Sequence, residues 1–386
     1  MILSLGFRPF FLLAGLWAVC GPLLAFAMAA LSLRVPTRFG TFAWHGHEML
    51  FGYATAVLAG FLLTALPNWT GRTPLRGWRL FGLVLLWIAG RIAVACSAVT
   101  GVTAAAVIDV SFASVLAAIV AHEIVAARNW RNLLVVVVLI LLATANAASH
   151  AALADVGSAD GANRFAVALL VTIMMLVGGR IIPGFTRNWL VRQGARRLPA
   201  EFGAIDRVAM VVAVTALALW VAVPAAPGLY VVFALAGLTV LLRWARWRGT
   251  TTWREPLVWV LHLGYFWIPL GYALSALSAA GVAGAGTAAL HAFTSGAVGT
   301  MTLAVMTRAT LGHTGRDLRA GRGLFATYIF VTLGAAARVA APLVDGAYEP
   351  LIWLAGGAWF AAFLLFLAIC GPMLLAAPVP AASVRA

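Results

Sequence analysis

Apolar residues fill long stretches of the chain, each near twenty residues, and short polar connections separate them. A helix rises about 1.5 Å per residue, so about twenty such residues cross a hydrocarbon core about 30 Å thick. The runs fall at about 8–33, 44–67, 79–99, 102–127, 131–154, 162–186, 204–222, 227–246, 256–279, 287–308, 322–345 and 349–376. This pattern predicts an all-α fold: a polytopic integral membrane helical bundle of about 12 transmembrane helices, forming a single membrane domain over residues 1–386. No sequence repeat stands out. The longest polar connection, about 187–203, falls near the middle and permits a six-plus-six, transporter-like division.

The polar connections are not alike. Those after the second, fourth, sixth, eighth and tenth runs carry Arg72 and Arg76, Arg128 and Arg131, Arg187 to Arg197, Arg243 to Arg254, and Arg316 to Arg322. The intervening connections carry almost none, with Arg34, Arg38 and Arg164 the main exceptions. Arginine-rich connections stay on the cytoplasmic side, which predicts both termini cytoplasmic and an even number of crossings. Arg8 followed by an apolar stretch, with small residues around Ala25 to Ala30, has the look of a secretory signal, but the run is too long for the usual apolar core of one and is read as helix 1.

Composition sharpens this picture. Hydrophobic residues make up 63% of the chain and charged residues only 10%, against roughly a quarter charged in soluble domains. No water-soluble fold hides that much apolar surface. The formal charge of +15 arises entirely from arginine placed between apolar runs, where it acts as a topology signal and as an anchor to membrane lipids, not as a nucleic-acid surface. Cys20, Cys96 and Cys370 stand singly inside apolar runs without metal or disulfide spacing.

Ionisable groups at membrane depth are costly and mark function unless they are paired structurally. Helix 2 opens with Trp44-His45-Gly46-His47-Glu48, helix 5 ends near His150, and helix 10 opens near His291. Alternating directions place these four histidines near the periplasmic face, within roughly 6 Å of one another in depth. Neutral imidazole suits iron, copper and zinc, and a haem in a helical bundle is commonly held by histidines of facing helices. Interfacial histidines also simply hydrogen-bond near headgroups, but four at one level favour a site. On a regular helix His47 projects about 200° from His45, so the two serve different partners. Glu48 is the candidate proton relay. Arg91 and Arg338 lie within apolar runs, where either could pair with Glu48, with Asp109 or with a haem propionate, or meet the anion of a transporter.

A second, looser group lies at the cytoplasmic level: His122, Glu123, Arg180, His262 and the stretch from Met306 to Arg316. Gly312 and Gly315 permit tight turns after helix 10, and Arg308 and Arg316 could hold phosphate, propionate or lipid headgroups, or simply form a cationic turn. His262 with His313 could form a second metal or quinol site.

Phe7-Arg8-Pro9-Phe10-Phe11, Trp44-His45-Gly46-His47-Glu48-Met49, Gly60 to Ala65, Asn68-Trp69-Thr70-Gly71, His291-Ala292-Phe293 and Arg308 through Arg316 together resemble the NnrS family, over essentially the whole chain. These are bacterial membrane proteins reported to contain haem and copper and associated with nitric oxide metabolism and tolerance. The resemblance implies a multi-pass protein of the inner (cytoplasmic) membrane. It also implies haem, of b type since no covalent attachment motif occurs, and copper. Metal binding is carried onto His45, His47 and His291 first, then His150 and His262, and last His313. The expected function is binding, and reduction, of nitric oxide, with membrane quinol as electron donor; the rival is a twelve-helix secondary transporter of an anion or metal complex.

Overall fold

The computed structural model describes residues 1–154 and 159–379. Every regular element among the described residues is a helix, without a strand. Among the described residues, eleven helices are long and apolar enough to cross a membrane. In order, with the shorter eighth, they are α1 (Phe7–Ala30), α2 (Thr41–Thr70), α3 (Trp78–Ala95), α4 (Val102–Ala126), α5 (Leu133–Ala154), α6 (Asp160–Arg192), α7 (Ala204–Ala222), α8 (Leu229–Ala245), α9 (Pro256–Ala279), α10 (Ala285–His313), α11 (Arg322–Ala340) and α12 (Tyr348–Leu375). At 17 residues α8 sits at the lower end of the about 17–25 residues that span a bilayer. The protein is therefore a polytopic membrane bundle.

Two helices run past the ends of their apolar runs. α6 continues to Arg192 through Pro183, and α10 continues to His313. Arg308 and His313 are thus helical instead of lying in a turn. Arg308 has a local reason to remain on the helix: its guanidinium lies 3.9 Å from the ring centroid of Phe185, a stacking that lets a cation stay at the edge of an apolar layer. The turn falls further on, at Gly315, whose φ of +73° is open to glycine at little cost.

The chain forms two compact units. The first comprises Met1–Leu169, Ala309–Asp317 and Phe366–Ala386. In it α1 packs on α2, and α4 packs on α2, α3 and α5. Phe7, Phe10, Phe11, Phe51, Phe112 and Leu116 fill its core. Arg8 is fully buried and donates to the carbonyls of Leu374 (2.8 Å) and Ala376 (2.6 Å), closing the C-terminal end of α12 with a charge suited to a helix C-terminus. The Phe7-Arg8-Pro9 segment thereby ties the start of α1 to the end of the last helix. The second unit comprises Leu170–Arg308 and Leu318–Leu365, with α7 on α8, α8 on α9, α9 on α10 and α10 on α11 around Tyr265, Tyr272, Phe293 and Tyr328.

α2 is the helix most enclosed by protein: 78% of its apolar window is buried, against 39% for α1 and α4, so side chains on it meet other helices and not lipid. It is also irregular. Its hydrogen bonding widens to a π turn over Glu48–Ala54, and the same happens in α10 over Ala292–Gly299. Such turns insert an extra residue into the helical period and often sit at functional sites.

Candidate metal centre

The π turn of α2 opens directly after His47. Adjacent residues of an α-helix do not face one another, yet His47 Nδ1 lies 3.3 Å from Glu48 Oε1. Trp87 on α3 donates its indole N–H to the carbonyl of Gly52 at 3.0 Å, satisfying one backbone group within the turn. Gly52 is required by what it faces, since a Cβ there would stand 2.7 Å from Arg91 Nη1, 2.7 Å from Trp17 Nε1 and 2.9 Å from Glu48 Oε2. The backbone of α2 therefore passes directly over a buried charge network.

That network is built from four helices of the first unit. Arg91 on α3 donates from Nη1 to Glu48 Oε2 at 2.8 Å and from Nη2 to Asp109 Oδ1 on α4. The other oxygen of Asp109 collects His47 Nε2 at 3.2 Å, His150 Nε2 on α5 at 3.1 Å, and the amide of Asn146 at 2.9 Å. Asn146 also offers its carbonyl oxygen to His47 Nε2 at 3.0 Å. All six side chains are buried. One guanidinium against two carboxylates leaves the group one negative charge in excess before any imidazole is protonated, and an uncompensated buried charge is expensive.

A metal cation at this donor set, or a proton on an imidazole, would offset that excess. His47 Nε2, His150 Nε2 and Asp109 Oδ2 belong to a set of ligand atoms all within 4.8 Å of one another. Donors of one small metal ion, each at about 2.0–2.2 Å, stand about 3.4 Å apart in a tetrahedral shell. The two histidine contacts to Asp109, 3.2 and 3.1 Å, fall near that spacing. Both ring nitrogens of His47 face oxygen, Glu48 on one side and Asp109 with Asn146 on the other. A neutral imidazole has one N–H, so its second nitrogen needs a cation or another proton. Glu48 behind the ring orients it as carboxylates do behind ligating histidines.

The profile of the NnrS protein family matches residues 1–377. The chain belongs to the NnrS family. A comparison with curated proteins found no match. Membership and the buried His47, Asp109 and His150 together fit a metal- or haem-binding membrane protein. In this NnrS chain, Arg91 takes both carboxylates offered to it in the sequence reading, Glu48 and Asp109, and His47 and His150 converge on one carboxylate oxygen. His45 is half-buried and does not share in that group of ligand atoms.

The remaining candidates lie elsewhere. His291 and Arg338 belong to the second unit, where His291 Nδ1 donates to the carbonyl of Thr287 at 2.8 Å. His262, also in the second unit, is buried with Nε2 2.8 Å from the hydroxyl of Thr186 and Nδ1 without a hydrogen-bond partner. His313 and Arg316 belong to the first unit, with the His313 ring 5.5 Å from that of Phe7. Glu123 binds Arg72 at 2.5 Å, and His122 lines a cavity with Arg72, Arg76 and Arg79. Asn146 is the residue missed in the sequence. It could have been found from its spacing: four positions before His150, it shares that residue's face of α5.

Proposed function

We propose that this NnrS protein is a haem- and copper-binding redox protein of the bacterial inner membrane that binds nitric oxide and reduces it. The observation that carries the proposal is the buried His47–Asp109–His150 set in a chain of this family. Haem supplies a site at which nitric oxide binds, and a histidine-rich centre suits copper. Joining two nitric oxide molecules to nitrous oxide and water consumes two electrons and two protons. Membrane quinol supplies both electrons on oxidation to quinone. Glu48, hydrogen-bonded between His47 and Arg91, holds the proton-carrying position beside the metal ligands. Arg91 holds Asp109 with its ligating oxygen turned toward the imidazoles, and the enclosure of α2 keeps bulk water from the group.

The transporter alternative needs a buried arginine open to a substrate anion. Of its two candidate contacts, Arg91 and Arg338, Arg91 is already paired with two carboxylates, so that reading loses one of them. The purified protein should show a haem spectrum that changes on reduction, contain copper, and consume nitric oxide anaerobically with a reduced quinol. Absence of both haem and copper from well-folded protein would overturn the proposal.

A further inference from the structure

The cavity lined by His122 lies where α2 ends, α3 begins and α4 ends; it holds about 710 Å³ and has two kinds of wall. Its rim is cationic. Arg72, Arg76 and Arg79 line it with one carboxylate, that of Glu123, which Arg72 already takes. Among the described residues Arg76 and Arg79 pair with no acid, so the rim keeps a surplus of positive charge. α3 starts in the same wall at Trp78 with no side-chain cap on its first N–H groups, a further attraction for an anion. Deeper in, the wall is apolar: Leu63, Leu66, Val115, Ala118 and Ile119. Val115 is 41% exposed, which puts this wall on the outer surface of the bundle, against lipid.

A second groove, of about 460 Å³, runs between α4 and α5 and shares Ala118 with the first. Ala117, Ala121, Ala143 and Ala147 keep it open. Its hydroxyls are spent within their own helices, Ser114 on the carbonyl of Val110 at 2.9 Å and Thr144 on that of Ile140 at 3.0 Å. The groove therefore asks nothing polar of its occupant. Along α4 it reaches from Val110 to Ala121, a rise of about 16 Å, close to the about 15 Å depth of one leaflet. The grooves part at Ala118, an exposed residue of α4, so both can be reached from one molecule at the cationic rim.

We infer that this is the binding site of one anionic phospholipid, its phosphate held by Arg76 and Arg79 and its two acyl chains laid one in each groove, astride α4 at Ala118. Each part of the site answers a part of that molecule. The surplus charge selects an anion: a neutral quinol head leaves both arginines uncompensated, and a zwitterionic headgroup brings a further cation. The apolar walls select an amphiphile over free phosphate or a soluble nucleotide. Two grooves separated by a side chain as small as alanine select two chains over one. The inference is independent of the proposed redox function.

Delipidated protein in detergent should bind phosphatidylglycerol, counted by native mass spectrometry, in preference to phosphatidylcholine, and neither inorganic phosphate nor a short-chain quinone should displace it. Arg76→Gln/Arg79→Gln should weaken that binding about thirty-fold, the effect of two cations at headgroup level. Arg196→Gln/Arg197→Gln removes the same charge from exposed positions in another connection and should leave the affinity unchanged. Equal weakening by the two pairs would reduce the effect to net charge and overturn the site. Displacement by phosphate or by the quinone would overturn the lipid as occupant. The seat of the chains has its own readout. Wild-type protein should prefer phosphatidylglycerol to its single-chain lyso form, and Ala118→Trp, which displaces no core, should abolish that preference with both arginines in place. A preference unchanged in Ala118→Trp would overturn the two-groove seat.

Discussion

His47 Nε2 lies 3.2 Å from Asp109 Oδ2, and the other oxygen of the same carboxylate is held by Arg91. Asp109 is thereby the hinge between a structural ion pair and a set of metal ligands. Replacing it by alanine removes both roles, leaving Arg91 with Glu48 alone, His150 Nε2 without its acceptor and His47 with only Glu48 and Asn146. Breaking a buried ion pair from one side costs about 3–5 kcal/mol. Asp109→Ala should unfold at markedly lower temperature and retain no metal at the centre. Asp109→Asn keeps the shape and should lose less stability, which a thermal melt of the two variants in one detergent will measure.

Arg91 answers to two acids, so its removal should be worse than removal of either. Arg91→Met leaves Glu48 and Asp109 facing each other in a buried space with no counter-charge. Returning the group to its wild-type excess of one negative charge with Glu48→Gln in the same chain should recover part of the loss. The cycle formed by Arg91→Met, Glu48→Gln and the double variant should give a coupling of about 1–3 kcal/mol. Strict additivity would mean that the 2.8 Å contact contributes nothing beyond shape.

Asn146 touches both Asp109 and His47, and it acts on the metal only through them. Asn146→Ala should weaken metal affinity by about 10–100-fold while the protein still folds, the usual effect of removing a group that orients ligands. Competition against a chelator of known strength will read the change. Unaltered affinity would show that Arg91 alone suffices to position the carboxylate.

Much of this architecture was legible before the structure, because twenty apolar residues in a row admit few outcomes. The ends of helices were less so: Arg308 stays helical by stacking on Phe185, a contact between distant residues that no local pattern announces. His47 and His150 were visible as histidines at one depth, but their meeting point was not. Asp109 is a lone acid in the middle of an apolar run, and its importance follows from three other helices converging on it. The π turns were invisible for a related reason. A helical period counted from the sequence assumes regular turns and gives no sign of the wider turn that opens at Glu48.

Two glycines offer the cleanest check on how tightly the centre is built. At Gly52 a methyl group would come within 2.9 Å or less of Arg91, Trp17 and Glu48, all buried or nearly so, and one of them must move. Overpacking of this kind costs about 1–3 kcal/mol, and here the displaced groups are the ones that set the charge balance. At Gly82, on α3, the same methyl would meet nothing within 4 Å. Alanine is better than glycine in a helix interior by about 1 kcal/mol, so Gly82→Ala should leave the protein unchanged or slightly more stable. Gly52→Ala should therefore lower the melting temperature and the bound metal together, whereas Gly82→Ala should alter neither for the worse. If Gly52→Ala were as harmless as Gly82→Ala, the network beneath α2 would be looser than its hydrogen bonds imply.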